Sequence, residues 1–337
     1  MKIAPSEFKE ILLKIKPGLA SKGIVEQATH FVFTGDDVFT YNDQISISYP
    51  LETEFKCSVP STKLYDFVKD LKGKEVEVTL KEGQLLLTCG KTKAGINVST
   101  DETIMELVDD MGFPKDTEWK SLDKEFLEGI KLCMFSASKD LSCPYMTCIS
   151  VENNRLVSGD DIRISLFDLK HDISDTFLLP ATAATELVKF DIVEYALMKS
   201  WVFFSTLDGI VFCSRIVVDE YPNVSEFFEM NNAVTMKLPS EFKDSINTVY
   251  PMADGDFDID KQIEISVTKN TLKCRSDGAS GWAETSIDIH DKVPDLTFKA
   301  NPVFLSEVLE HNTTMTYEPG KLLILSGKLK HLMSLVV

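Results

Sequence analysis

Two kinds of hydrophobic pattern alternate along this chain, one typical of strands and one typical of helices. In segments such as 76–80 (VEVTL) and 263–267 (IEISV), apolar and polar residues alternate, which predicts strands with one buried face. In segments such as 5–15 (PSEFKEILLKI), apolar residues recur at helical spacing, which predicts amphipathic helices. Glycine-containing turns separate the strands, so the pattern predicts an α+β protein with several strands after each helix.

Three of the predicted helix starts share a motif and are almost evenly spaced. The motifs are PSEFKE, DKEFLE and PSEFKD, and their phenylalanines, Phe8, Phe126 and Phe242, lie 118 and 116 residues apart. One motif spaced evenly over the whole chain indicates an internal repeat. Each start also offers a residue suited to capping a helix N-terminus, namely Ser6, Asp123 and Ser240.

A second set of helices follows the first, and the strands repeat as well. Each of these helices has a proline at or near its start, at Pro60, Pro180 and Pro302, where a helix leaves its N–H groups unpaired in any case. The strand segment 80–91 (LKEGQLLLTCGK) is similar to 317–328 (YEPGKLLILSGK). The chain is therefore predicted to contain three similar domains, at 1–115, 116–230 and 231–337.

Composition narrows the class of protein. The 337 residues are 44% apolar, which is ample for globular cores, and no run of about 18 apolar residues predicts a membrane span. The N-terminus lacks the apolar stretch of a secretory signal. The cysteines are odd in number, scattered and without zinc-ligand spacing, so we expect buried thiols in a cytoplasmic protein. They are Cys57, Cys89, Cys133, Cys143, Cys148, Cys213 and Cys274.

Short motifs suggest chemistry that the repeat explains better. Two GDD sequences, with the acids Asp36 and Asp37 and the acids Asp160 and Asp161, are similar to paired metal-binding acids. A metal-dependent nucleotidyl transferase is therefore one alternative. The two sequences occupy equivalent repeat positions, however, where glycine and aspartate suit a turn between strands. The GKT at 90–92 lacks the spacing of a phosphate-binding loop. We expect no catalytic site, no metal and no cofactor.

The charge is unevenly distributed between the predicted helices and the rest of the chain. A net charge of −18 argues against binding to nucleic acid, because phosphates are bound by lysine and arginine. The six predicted helices nevertheless balance to zero, and the first two, at 6–16 and 61–74, are basic. A surface built from these helices is compatible with DNA while the rest of the protein repels it.

Three motifs in register with the repeat resemble one protein family. The segment 214–223 (SRIVVDEYPN) resembles the end of the second domain of the bacterial-type sliding clamp, the β subunit of DNA polymerase III. The segment 154–165 (NRLVSGDDIRIS) is similar to a strand-turn-strand of that family, and 298–309 (FKANPVFLSEVL) to a helix start in its third domain. The resemblance covers essentially the whole chain in the same order.

The resemblance implies a non-enzymatic processivity factor. It implies three similar clamp domains, each with two helices packed on antiparallel sheets, and a head-to-tail homodimer that forms a ring of six domains. Double-stranded DNA would pass through the ring without sequence-specific contacts. The partners would be the DNA polymerase and the clamp loader. A clamp-like scaffold that no longer encircles DNA is a further alternative, since the last two predicted helices are not basic.

The same resemblance assigns candidate residues to three surfaces. The lysines expected to face DNA are Lys9, Lys14, Lys22, Lys63, Lys69, Lys131 and Lys189. A hydrophobic pocket for short peptides is expected at Asp161, Ile162, Arg163, Ile164, Pro222, Phe227, Met333, Leu335, Val336 and Val337. The dimer interface is expected at Ala94, Ile96, Val98, Tyr250 and Met252. The C-terminus, MSLVV, departs from that of the family, so the preferred peptide is expected to differ.

Overall fold

The structure is a computed structural model, and it describes residues 1–22, 26–99, 103–114, 118–290, 293–309 and 313–335. Contacts between residues divide the chain into two compact units. Unit 1 comprises residues 1–127 and 182–218, and unit 2 comprises residues 128–181 and 219–337. The division into three domains, at 1–115, 116–230 and 231–337, stays a prediction.

The described residues form seven α-helices and 24 β-strands. The helices are α1 (Pro5–Ile15), α2 (Ser61–Val68), α3 (Thr103–Asp109), α4 (Lys124–Cys133), α5 (Ala181–Leu187), α6 (Phe242–Val249) and α7 (Pro302–Val308). The strands are β1 (Lys2–Ile3), β2 (His30–Phe33), β3 (Asp37–Tyr41), β4 (Ile45–Pro50), β5 (Cys57–Pro60), β6 (Val76–Lys81), β7 (Gln84–Cys89), β8 (Thr92–Asn97), β9 (Lys120–Ser121), β10 (Cys148–Glu152), β11 (Arg155–Gly159), β12 (Arg163–Asp168), β13 (Phe177–Pro180), β14 (Ile192–Met198), β15 (Trp201–Thr206), β16 (Val211–Arg215), β17 (Val234–Lys237), β18 (Ile263–Thr268), β19 (Thr271–Gly278), β20 (Gly281–Asp288), β21 (Leu296–Ala300), β22 (Thr314–Glu318), β23 (Lys321–Ser326) and β24 (Leu329–Ser334).

Each unit contains one long and one short sheet, and all described strand pairs are antiparallel. Unit 1 has an eight-stranded sheet in the order β5-β2-β3-β4-β16-β15-β14-β9 and a four-stranded sheet in the order β1-β6-β7-β8. Unit 2 has an eight-stranded sheet in the order β13-β10-β11-β12-β24-β23-β22-β17 and a four-stranded sheet in the order β20-β19-β18-β21. The predicted α+β class with antiparallel sheets is confirmed.

Six of the seven described helices form in the segments predicted to be helical, whereas α3 was not predicted and two of the predicted caps are wrong. Helix α1 buries Phe8, Leu12 and Ile15 along one face. It starts at Pro5, so Ser6 lies inside the first turn instead of capping it. Helix α6 starts at Phe242 after Glu241, so Ser240 is not its cap either. Neighbouring backbone hydrogen bonds decide both starts, since the N–H of Phe8 bonds to the carbonyl of residue 4 and that of Phe242 to residue 239.

The third predicted cap is present, and α7 has a stronger one. Asp123 accepts a hydrogen bond from the backbone N–H of Glu125 at the start of α4. The side chain of Asn301 accepts from the N–H groups of both Val303 and Phe304 at the start of α7. The carboxylate oxygen of Asp123 and the amide oxygen of Asn301 thus accept from N–H groups that a helix start leaves without partners.

Each long sheet has one face toward the helices and one face away from them. In unit 1, the hydroxyl of Thr40 donates to the carbonyl of Ile15, so Thr40 lies on the helix side. In unit 2, the hydroxyl of Ser158 donates to the carbonyl of Cys133 in α4. Because side chains alternate along a strand, the neighbours of Thr40 and Ser158 lie on the other face, which we call the outer face.

The outer face of unit 1 is apolar and covered. Its cluster comprises Val32, Phe39, Tyr41, Trp201, Phe203 and Cys213 from the sheet, with Ile104 and Met111 from α3 and the residues after it. Ile104 is fully buried, as is Val32. The segment that follows β8 therefore closes this face.

Candidate functional site

Unit 2 has a cavity of about 370 Å³ at its outer face. It lies among β12, the end of β24, the residues before β10 and the segment 219–230, which follows β16 in the chain. The lining is mainly apolar. It consists of Tyr145, Met146, Gly159, Asp160, Asp161, Ile162, Arg163, Ile164, Tyr221, Pro222, Val224, Phe227, Lys321, Leu332, Met333 and Ser334.

A tight turn between β11 and β12 forms one side of the cavity. The carboxylate of Asp160 accepts hydrogen bonds of 2.9 Å from the backbone N–H groups of both Ile162 and Arg163. Gly159 precedes it, and a Cβ there would lie 2.8 Å from the carbonyl oxygen of Arg163. The second GDD sequence is thus a turn between strands, as predicted, and it directs Ile162 and Ile164 to the cavity.

The segment 219–230 forms the opposite side. Val224 packs with Val157 and Leu166 of the sheet, and Tyr221 packs beside them. The ring of Tyr221 meets that of Tyr145 edge-on, with 6.2 Å between centroids. Burial raises the pKa of the Tyr221 phenol well above its usual range. Phe227, in contrast, is 54% exposed at the mouth of the cavity.

Arg163 is a lining residue whose charge is already neutralised. Its guanidinium is 3.2 Å from the carboxylate of Asp160 and 2.8 Å from that of Glu307 in α7. It also donates to the carbonyl of Phe135 and stacks on the ring of Phe304, 3.7 Å from the centroid. The side chain is only 8% exposed. Arg163 therefore holds the wall of the cavity together and is not available to a ligand's carboxylate.

Three buried polar side chains beside the cavity form a hydrogen-bonded network. The Nδ1 atom of His331 is 2.8 Å from the hydroxyl of Ser165, which is 2.7 Å from the hydroxyl of Ser136. Desolvation, and then the nearby charge of Arg163, lower the pKa of His331 to about 3. The imidazole is neutral at physiological pH, and its Nε2 has no hydrogen-bond partner within the described residues.

The structure brings most of the predicted pocket residues together. Seven of them line the cavity, as listed above for positions 161–164, 222, 227 and 333. Leu335 is buried but does not line it. Val336 and Val337 lie outside the described residues. Sequence reasoning missed Tyr145, Met146 and Lys321, which come from segments with no family motif, and Tyr221, which directly precedes the predicted Pro222. Their role in binding stays a prediction.

The candidate lysines fall into two groups. Lys14 lies 3.8 Å from Asp208, Lys69 lies 2.6 Å from Asp66, and Lys189 lies 2.7 Å from Glu186. The ammonium of Lys14 also lies over the ring of Tyr49. Within the part of the chain that the structure describes, the other candidates have no ion-pair partner: Lys9, Lys22, Lys63 and Lys131.

The candidate interface residues lie beside two free sheet edges. Ala94 and Ile96 are half-buried on β8, which is the last strand of its sheet, and Val98 follows the strand end. Tyr250 and Met252 form a 3₁₀ turn after α6. The carbonyl of Met252 lies against Gly278 at the end of β19, next to the free edge strand β20.

The other residues considered for chemistry are the first GDD sequence, the possible metal ligands and the cysteines. The first GDD sequence is also a turn, in which the N–H of Asp37 donates to the hydroxyl of Thr34. Burial raises the pKa of the Asp37 carboxyl, and the neighbouring charge of Asp36 adds to this. The described residues contain no group of three or more acids, histidines or cysteines that could hold a metal. All seven cysteines are free, and burial raises the pKa of Cys57 to about 12. None of the described helices is long and apolar enough to span a membrane.

We compared the chain with protein families and its structure with solved structures. No protein-family model matches the chain. Its structure is similar to the sliding clamp of DNA polymerase from Bacillus subtilis, with a TM-score of 0.85 and 17% identity over 100% of this chain and 98% of that one. It is similar to the β chain of DNA polymerase III from Streptococcus pneumoniae, with a TM-score of 0.86 and 17% identity over 100% and 99%. It is also similar to the Helicobacter pylori β clamp bound to a DNA ligase peptide, with a TM-score of 0.84 and 16% identity over 100% and 99%. Over its whole length, the chain has the fold of the bacterial DNA polymerase III β sliding clamps.

Proposed function

We propose that this protein is a DNA sliding clamp, a non-enzymatic processivity factor that encircles duplex DNA and tethers a DNA polymerase. The observation that carries the proposal is the fold likeness, which extends over essentially the whole length of both chains at TM-scores of 0.82–0.86. A fold alone does not establish a function. The repeat of three helix motifs and the apolar cavity beside segment 219–230 support the same conclusion independently.

The working form in this proposal is a head-to-tail homodimer that acts in the cytoplasm. The free edges β8 and β20 supply the contact, because an uncovered edge strand pairs readily with another chain. Lys93 lies on β8 and Asp288 lies on β20, so the two edges carry opposite charges, whereas Glu284 of β20 is already paired with Lys273 and Arg275. A heterologous contact of this kind closes into a ring when its rotation permits. Tyr250 and Met252 complete the seam.

DNA passes through the ring without tight contacts. Lys9, Lys22, Lys63 and Lys131 provide its main positive charge, because they have no carboxylate partner among the described residues. Lys14, Lys69 and Lys189 contribute less, since each is paired with an acid. Few strong phosphate contacts suit a mobile tether, as each one adds salt-dependent affinity that slows sliding.

The cavity of unit 2 is the peptide-binding pocket in this proposal. Its mainly apolar lining fits short segments of the polymerase and of the clamp loader, which bind in turn. The Helicobacter pylori clamp of similar fold is described as bound to a DNA ligase peptide. The lining residues at positions 161–164, 222, 227 and 333 are the proposed contacts.

Retention on circular DNA tests the proposal. The protein is loaded onto nicked circular DNA with a compatible clamp loader and ATP, loading is confirmed, and the DNA is then linearised at moderate salt. A clamp stays on the circle and leaves through free ends. Equal retention on both forms would indicate ordinary binding and would contradict encirclement. Stable peptide binding without any retention would favour the scaffold that no longer encircles DNA.

A seam variant provides the matched control. Ile96→Asp places a charge in the proposed β8 contact and is expected to abolish both the dimer, measured by sedimentation, and retention on circular DNA. Thr79→Asp, on β6 inside the same sheet, is expected to leave the dimer intact. A dimer that tolerates Ile96→Asp would exclude this edge from the interface.

A further inference from the structure

The charge around the unit 2 cavity is strongly one-sided. The segment 219–230 carries four exposed acids and no lysine or arginine. We call these residues the acidic wall, and they are Asp219, Glu220, Glu226 and Glu229. Across the cavity, Asp161 is exposed, and no ion pair or hydrogen bond of its side chain is found among the described residues.

The two cations that line the cavity do little to offset these acids. Arg163 is held by Asp160 and Glu307 and is only 8% exposed. Lys321 is half-buried, and its ammonium lies 3.5 Å from the backbone carbonyl of Glu229. The cavity lining therefore offers one exposed, unpaired carboxylate, Asp161, and one partly covered ammonium, and the segment that forms its opposite side carries the four further exposed carboxylates of the acidic wall.

The apolar part of the cavity defines the rest of the ligand. Its volume of about 370 Å³ lies at the lower end of the range of about 300–1,000 Å³ for ligand sites and holds a few side chains, not a folded surface. Ile162, Ile164, Leu332 and Val224 line it, and Phe227 stands half-exposed at the rim. Large apolar side chains that enter such a pocket supply most of the binding energy, and rim charges then select among partners.

We propose that this pocket selects peptides in which large apolar residues are flanked by lysine or arginine, and that Asp161 and the acidic wall recognise the basic flank. The inference rests on the proposed function, because it names the class of partner that the clamp's pocket takes. It also explains how one pocket favours protein segments over DNA. The same carboxylates that attract a basic flank repel phosphates.

Fluorescent synthetic peptides test the charge preference directly. A library of ten-residue peptides carries Leu, Ile, Met or Phe at four central positions and Lys-Lys, Gln-Gln or Glu-Glu on both sides. Binding is measured by anisotropy at low and moderate salt. We expect the best central sequences to bind about two- to fivefold more tightly per flanking charge in the lysine series than in the glutamine series. The glutamate series is expected to be weakest, and the differences are expected to shrink as salt rises.

Variants of the protein test which carboxylates cause the preference for lysine-flanked peptides. The double variant Glu226→Gln, Glu229→Gln, which changes no residue of the cavity lining, is expected to reduce the lysine preference toward that of the uncharged series while leaving the glutamine series unchanged. Asp172→Asn removes an exposed acid of unit 2 that does not line the cavity, and it is the matched control. Circular dichroism confirms that each variant is folded. A lysine-flanked peptide with a serine core controls for general attraction to a chain of charge −18.

The outcomes separate this inference from the proposed function. If the three series bind equally, or the glutamate series binds best, the pocket stands and the charge preference is overturned. If no member of any series binds, the pocket itself is overturned as a peptide site. If the serine-core peptide binds as well as the apolar ones, general electrostatic attraction replaces selection by the pocket.

Discussion

The outer faces of the two long sheets are both apolar, yet one is sealed and the other is open. In unit 1, α3 places Ile104 on the cluster around Phe203, and Ile104 is fully buried. In unit 2, the segment 219–230 buries Val224 but leaves Phe227 exposed and a cavity beside β12. The same arrangement of strands is therefore closed by a helix in one unit and leaves a cavity in the other, and this cavity is the binding site in our proposal.

The covering segments explain the difference. Residues 103–111 (TIMELVDDM) have apolar residues at helical spacing, so they form a helix whose apolar side closes the sheet. Residues 219–228 contain Pro222 and form only a 3₁₀ turn at Ser225–Phe228. Proline lacks an N–H and disfavours a helical conformation in the residue before it, so a long helix does not form there. A short irregular segment covers less of the sheet than a helix does.

The largest effect expected is the contrast between two phenylalanines. Phe203→Ala removes a 2%-exposed ring from the sealed cluster, and we expect the free energy of unfolding to fall by about 3–5 kcal/mol. Phe227→Ala removes a ring that is already half in solvent, and we expect a loss below about 0.5 kcal/mol together with weaker peptide binding. Urea unfolding measures both. Similar losses for the two variants would mean that the open face is as important for stability as the sealed one.

Variants of Arg163 and Glu307 test how much the ion pairs beside the cavity of unit 2 contribute to the free energy of unfolding. Arg163→Met leaves the carboxylates of Asp160 and Glu307 without their cation, and we expect a loss of about 2–3 kcal/mol in the free energy of unfolding. Glu307→Gln keeps the shape and removes a 38%-exposed partner, so its expected loss is about 1 kcal/mol or less. Equal losses would show that the guanidinium acts mainly by packing on Phe304.

His331 makes the stability of the open face depend on pH. Its folded-state pKa of about 3 lies below the unfolded value of about 6.5, so the unfolded chain binds the proton first as the pH falls. The stability due to the neutral ring is complete above pH 6.5 and decreases toward pH 3. Between pH 7 and pH 5, we expect a loss of about 2 kcal/mol from this residue.

The variant His331→Leu isolates that contribution. Protonation of groups other than His331 occurs in both proteins and cancels in the difference. The free energy of unfolding of the native protein minus that of the variant should therefore fall as the pH is lowered from 7 to 5. A difference that does not change with pH would show that the ring is accessible to protons in the folded state.

A contrast smaller than those at Phe203, Arg163 and His331 is expected at the cap of α7, the helix that holds Glu307 and Phe304 against Arg163. Asn301→Ala removes the acceptor of two backbone N–H groups and a donor to the carbonyl of Asp258, and we expect a loss of about 1 kcal/mol. Asn301→Asp keeps the acceptor and loses the donor, so it should be less harmful. Thermal unfolding at one protein concentration distinguishes the two variants. An alanine variant as stable as the native protein would show that the cap is dispensable.

Much of the fold was predictable because it depends on local pattern. The alternation at 263–267 and the helical spacing at 5–15 correspond to β18 and α1. The GDD sequences were interpreted as turns from the preference of glycine and aspartate, and both are turns. The caps at Ser6 and Ser240 were wrong because a helix start is decided by one backbone hydrogen bond, which residue preference alone does not specify.

The candidate site was only partly predictable. Ile162, Ile164 and Phe227 were found through a family motif, and the structure places them around one cavity. Tyr145 and Lys321 also line the cavity but lie outside the three segments that resemble the family. The pairing of Glu307 with Arg163 was not predicted either, because it joins residues 144 positions apart.

The sequence by itself determined the α+β class and the positions of the main helices and strands, because each depends on residues that are close together along the chain. The tertiary structure alone decided that the outer face of one sheet is sealed and that of the other is open. It also decided that Arg163 is neutralised while Asp161 remains exposed. Both outcomes depend on contacts between distant segments, whose packing and desolvation no local pattern encodes.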